Sequence, residues 1–314
     1  MSSALRRVAK TILPERSRRI LQIELDGLRD RGPWFVGRWN VALVDSLLRD
    51  RVNRRAYVGL SEAQACAARR SDTVFVFGSG ASLNDIAPSE WEAIAEHDTF
   101  GFNAFYHQQW VRVDFHLIRG GTYGSLSPVA RAEELRGALR SNPRYAETIF
   151  VLQDDYLGHY ANFVVGRSYL PTAARLFRYR TAFGVGPASR TFAEGIRHAP
   201  GTLVDVVNCA YCLGWKEIVL VGVDLYDSRY FWLPPDQTLT HDPTGQNIVA
   251  GSVNAMRGNR PQDVHNTIRG GIVELMTGWG AQLADDGVTL SVYNPRSLLA
   301  DVLPVFEPAA ARGR

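Results

Sequence analysis

The chain has 314 residues, 46% of them hydrophobic and 21% charged, with a formal net charge of +3 and three cysteines. That balance fits a globular protein with a sizeable core, built as one large α/β domain or two modest ones. It argues against a strongly basic nucleic-acid binder and, with so few cysteines, against a disulfide scaffold; a reducing compartment suits it.

No apolar run reaches the roughly 18 residues needed to span a bilayer. The first twenty residues, MSSALRRVAKTILPERSRRI, hold basic residues without the continuous apolar stretch of a secretory signal. The expectation is a cytoplasmic protein. Residues 1–70 are arginine-rich, and SRRILQIELDGLRDRG and RWNVALVDSLLRDRV space apolar residues three or four apart, which predicts an N-terminal helical extension packed on the main domain. A second reading lays these basic helices on an anionic inner-membrane surface. Charges interrupting the apolar faces favour packing.

A new pattern begins with DTVFVFGSGASLNDI, residues 72–86. It predicts a buried strand, a tight turn at Gly78-Ser79-Gly80-Ala81-Ser82, and then a helix. Strand, glycine turn and helix often open a nucleotide-binding sheet, with backbone N–H groups close to a phosphate. The third glycine of a dinucleotide fingerprint and the lysine of a P-loop are missing. TFGFNAF, VDFHLI and ETIFVLQ predict further strands, GTLVDVVNCAYCLGW a helix, and KEIVLVGVDL a central parallel strand. Cys209 and Cys212 read as core cysteines of that helix, not a redox or zinc pair. The fold class expected is α/β, a doubly wound, mostly parallel sheet with its ligand edge at the C-terminal strand ends.

From Asp227 to about residue 264 the pattern dissolves into a stretch rich in Pro, Gly, Asn and Asp, which predicts a lid or binding loop. HNTIRGGIVELMTGWGAQLADDG then predicts a helix, VTLSVYN a last strand and PRSLLADVLP the close of the fold. The domain expected is 71–314, with a lid at about 227–264. Asp154-Asp155 reads as a turn or cap in preference to a metal-binding pair.

FVFGSGASLNDI, FNAFY, CLGWKEIVLVGVDLY and YNPRSLLADVLP, in this order, resemble the motif blocks of the bacterial family-42 glycosyltransferases, which are sialyltransferases. The resemblance spans about 74–304 and leaves out residues 1–70. It implies a Rossmann-like, GT-A-type domain with a small lid. It implies inverting, metal-independent transfer of a sugar from a CMP-sugar to a hydroxyl of a surface glycan or glycolipid acceptor, with no separate cofactor. By the same resemblance, Tyr226 and Tyr230 hydrogen-bond the leaving phosphate, at a spacing shorter than the family's, and His265 is the base, with His241 its rival. Asn103 resembles the donor-sugar asparagine. Gly78, Ser79, Gly80 and Ser82 resemble the phosphate turn. Thr202 stands where the family has a serine, followed by Leu203 where it has glycine, and Asp224 is either a ribose ligand or a turn residue. With Leu203 in place of that glycine, the donor the resemblance implies is sialic acid or else another CMP-linked nonulosonate or Kdo-like sugar.

Such a transfer needs a base for the acceptor proton, donors for the departing phosphate and a fixed sugar. A phenol donates while staying neutral, and imidazole accepts a proton near neutrality. Two other readings stand beside it. One is the MptE-like group of pterin pyrophosphokinases and flagellin-modifying transferases, which shares the glycine turn. The other is a non-catalytic nucleotide-binding module that recruits partners through its basic helices. A homo-oligomer is compatible with each.

Overall fold

The computed structural model describes residues 32–119, 128–154, 164–199, 201–226, 229–235, 238–241, 247–250 and 270–307, together with 21, 24, 25, 28 and 29. The strands are β1 (Val58–Gly59), β2 (Thr73–Phe77), β3 (Asp98–Phe102), β4 (Phe115–Ile118), β5 (Ile149–Gln153), β6 (Arg175–Tyr179), β7 (Thr181–Phe183), β8 (Ile196–His198), β9 (Glu217–Val221), β10 (Thr238–His241), β11 (Asn247–Ala250) and β12 (Thr289–Val292). The helices are α1 (Pro33–Asn53), α2 (Glu62–Ala67), α3 (Pro88–Ala95), α4 (Pro128–Ser141), α5 (Thr202–Leu213) and α6 (Ile272–Asp285).

Eight strands pair in the order β1-β6-β5-β4-β3-β2-β9-β12, and every pairing is parallel. A parallel sheet is covered on both faces, so its strands are apolar throughout rather than alternating. FHLI of β4 and IFVLQ of β5 are buried at every position. One face packs Val74, Val76, Phe100 and Leu117 against α5 and α6; the other packs Phe75, Phe77 and Phe150 against Trp91 and Ile94 of α3 and Leu139 of α4. This is the α/β, Rossmann-like sheet expected. Charged side chains at its N-terminal edge are satisfied within the protein: fully buried Asp98 accepts from Arg70 N, Ser71 N and Trp215 Nε1.

The sheet begins earlier than the boundary expected at 70. Val58 and Gly59 pair with β6, and Ala65 of α2 is fully buried in the core. Strand β6, RLFRY, carried no expectation, because its two arginines break the apolar run.

Strand order decides where a ligand can sit. From β2 the chain builds outward through β3, β4, β5 and β6, then returns to place β9 and β12 on the other side of β2. The order therefore reverses between β2 and β9, and the C-terminal ends of these strands are where an open α/β sheet binds its ligands. Helix α5 packs across β2, β3 and β9 and leads into β9, so its N-terminus lies at that same edge.

Candidate functional site

The glycine turn sits at the switch point, and close approach dictates its glycines. A Cβ on Gly78 would stand 2.5 Å from Gly222 O; one on Gly80 would stand 2.3 Å from Asp224 Oδ2. Any side chain would force β2 and β9 apart. The N–H of Gly78 donates to Val221 O and that of Gly80 to Gly222 O, each at 2.8 Å. These two amides are spent inside the protein, not offered to a phosphate. The chain then makes a 3-10 turn over Ala81–Asp85, and α3 starts only at Pro88. The expected helix N-terminus directly behind the turn is therefore displaced. What the turn does present is Ser79, whose hydroxyl is buried without a hydrogen-bond partner.

Asp224 binds three segments together. Its carboxylate accepts from Ser82 N at 3.0 Å, from Ser82 Oγ at 2.5 Å and from Asn294 Nδ2 at 3.1 Å, and the residue is 3% exposed. With those donors the carboxylate is a structural clamp, and Ser82 is its partner. Asn294 also reaches the Tyr226 hydroxyl at 3.4 Å. Leu225 has φ 60°, and Tyr226 N donates to Asp224 O at 2.7 Å, closing a tight turn. A leucine in the left-handed region costs about 1 kcal/mol; here the turn brings Tyr226 to the clamp.

Tyr230 comes to the same place from the other side. It forms an isolated antiparallel bridge with Gly80, and Phe231 N donates to Ser79 O. Asn84 holds the segment through Phe231 O at 3.0 Å. Phe231 is buried against Phe105 and Trp110, and Trp232 stacks on His107. Of the two tyrosines singled out from the sequence, Tyr230 thus meets the glycine turn through its backbone, while Tyr226 meets Asn294 beside the Asp224 clamp.

A second polar group lies along the same edge, and sequence reasoning missed it. By register, Phe77 of β2 lies beside Gly101 of β3, and Gly101 beside His116 of β4. Arg119, just past β4, therefore leaves the sheet at the same C-terminal edge as the glycine turn. Its Nη2 lies 2.5 Å from His198 Nε2, and His198 Nδ1 lies 2.6 Å from Asp205 Oδ1. Arginine can only donate, so Nε2 accepts and the imidazole proton is on Nδ1, facing the carboxylate. Asp205, in the first turn of α5, is fully buried and also accepts from Tyr179 at 3.1 Å. Arg119 Nε is buried without a partner. The chain signals for this group are weak: one Arg after an apolar strand, and His and Asp on either side of a Pro-Gly break.

Asn103 follows β3 directly, opening a 3-10 turn with φ 52°, and is exposed. Thr202 opens α5 behind Gly201, where no side chain caps the helix. His265 lies outside the described residues, as does most of the 227–264 stretch; of His241 only the backbone, in β10, is described. Asp154 pairs with Arg178 at 3.6 Å, as a structural carboxylate does, and Asp155 lies outside the described residues. Cys209 is buried in α5, and burial pushes the Cys212 thiol up to about 12, which makes the pair inert as thiolates. Among the described residues no group of three or more His, Cys, Asp and Glu could hold a metal ion, and no helix is long and apolar enough to cross a membrane.

The class defined by this fold is an α/β protein of Rossmann-like architecture with a cluster of polar side chains at its switch point. No family model matches the chain, and no curated protein matches it.

Proposed function

We propose that the chain is an inverting, metal-independent glycosyltransferase. It moves sialic acid, or a related nonulosonate or Kdo-like sugar, from a CMP-sugar to a hydroxyl of a surface glycan. One observation carries the reading: the bridge between Gly80 and Tyr230, opposite Tyr226 on the Asp224 clamp. It brings the Tyr230 backbone to the glycine turn, at the strand-end edge where an open α/β sheet binds its ligand, which supports a role for both phenols there.

In this reading the acceptor oxygen attacks the anomeric carbon while the bond from that carbon to the phosphate oxygen breaks. The electron pair leaves with CMP, and the acceptor proton passes to His265. Tyr226 and Tyr230 donate hydrogen bonds to the departing phosphate, where charge grows. Asn103 and Thr202 face the sugar and nucleotide. Arg119, held by His198, takes the sugar's carboxylate.

The test is release of CMP from a panel of CMP-activated sugars in EDTA. Turnover of a CMP-nonulosonate is expected. Phe at either tyrosine is expected to lower kcat by roughly 100-fold, as loss of one transition-state donor does. His265→Ala is expected to abolish transfer and keep CMP binding, measured by calorimetry. Strict Mg²⁺ dependence with ATP consumption would replace this reading with a pyrophosphokinase. Binding of CMP without turnover of any donor would leave a nucleotide-binding module.

A further inference from the structure

Helix α1 has two apolar faces, and among the described residues only one of them is packed. Phe35, Leu43, Ser46 and Asp50 are buried on the inner side. Asp50 is 1% exposed and ion-pairs with Arg178 of β6 at 2.8 Å, while Asn53 Nδ2 donates to Gly166 O at 2.5 Å. Those contacts fix the helix against the body of the protein. On the opposite side Trp34 is 78% exposed, Val41 71%, Val44 54%, Leu48 58% and Val52 75%. At 3.6 residues per turn these five fall within an arc of about 80°, so they form one continuous stripe. Arg38, Arg51 and Arg55, all exposed, flank it.

An apolar stripe of this length with no partner among the described residues marks an interaction face. Charge identifies what covers it. Residues 1–57 contain 13 of the 35 Lys and Arg but 6 of the 32 Asp and Glu. That stretch is +7, while the remainder of the chain is −4. A second copy docking stripe to stripe would bring Arg38, Arg51 and Arg55 of the two copies together, at a repulsive cost. An anionic surface suits them instead.

We propose that the outer face of α1 docks the protein on an anionic lipid bilayer. The apolar stripe enters the headgroup boundary, and the flanking arginines meet lipid phosphates and carboxylates. The helix lies in the plane of the surface, because its inner face stays on the protein.

The experiment is co-sedimentation of the full chain with vesicles, with light scattering in parallel. Expected are binding to phosphatidylcholine–phosphatidylglycerol vesicles, at least about tenfold weaker binding to pure phosphatidylcholine, and release by salt. The double variant Val41→Asp, Leu48→Asp is expected to stay in solution with an unchanged thermal melt, since both side chains are exposed. Arg38→Glu, Arg55→Glu is expected to lose binding as well, by charge alone. The proposal is overturned if wild type stays in the supernatant, or if the Val41→Asp, Leu48→Asp variant still pellets. A dimer that those two substitutions dissolve would also overturn it and would assign the stripe to a second copy.

Discussion

Arg119 shows how a charge is held at the end of an apolar strand. Asp205 is buried at the start of α5 and fixes the imidazole of His198; the imidazole then accepts from the guanidinium. The arginine is positioned before any ligand arrives, which lowers the ordering cost of binding an anion. On the proposed reading, Arg119→Met raises KM for the CMP-sugar at least about tenfold, the loss expected for a charged hydrogen bond. It leaves the affinity for CMP itself unchanged and changes kcat little. His198→Ala acts in the same direction through Arg119, and His198→Gln, which can still accept, recovers part of the loss. Equal losses for CMP and donor would assign Arg119 to the nucleotide instead. Calorimetry with CMP beside steady-state kinetics with the donor makes the distinction.

The glycine turn is an element whose sequence signal was clear and whose use differs from the first reading. The pattern strand, G-S-G, polar turn marks a close backbone approach, and that approach exists. The partner is strand β9, however, not a phosphate: Gly222 O and Asp224 occupy the space in front of Gly78 and Gly80. A one-sequence reading cannot see this, because β2 and β9 become neighbours only through the crossover. Gly78→Ala puts a methyl group 2.5 Å from a carbonyl oxygen of the neighbouring strand exit. Overpacking of this kind costs about 1–3 kcal/mol, and thermal or urea unfolding is expected to show a loss in that range. A variant as stable as wild type would mean that the two exits are not tightly apposed. Helix α1 gave a similarly mixed signal. Apolar residues on both faces blur its periodicity, so packing and surface contact competed in the sequence while each face supports one of them.

At the scale of the molecule, the parallel sheet was legible because its strands are nearly unbroken apolar runs. β2, β4, β5, β9 and β12 fall inside expected segments, and β3 starts one residue before its own, at Asp98. Strand β6 was hidden by its arginines, and two-residue β1 by its length. Of the candidate site, Tyr226 and Tyr230 could be read from their positions at the exit of a core strand. Arg119, His198 and Asp205 could not, since three separate segments bring them together. The same sheet buries a titratable group that bears on the stability of the whole. His116 of β4 is fully buried, and burial lowers its pKa to about 3, against a smaller opposing contribution from the Asn103 backbone. In the unfolded chain an imidazole titrates near ~6.5. As pH falls below that value, the unfolded state takes up a proton that the folded state refuses, so stability is lost between about 6.5 and 3 and is fully present above. Urea unfolding of wild type at pH 7 and pH 5 is expected to show this loss. His116→Leu has no proton to bind, so its stability is expected to fall less over the same interval. If both proteins lose stability in parallel, carboxylates elsewhere carry the pH dependence, and His116 titrates alike in both states.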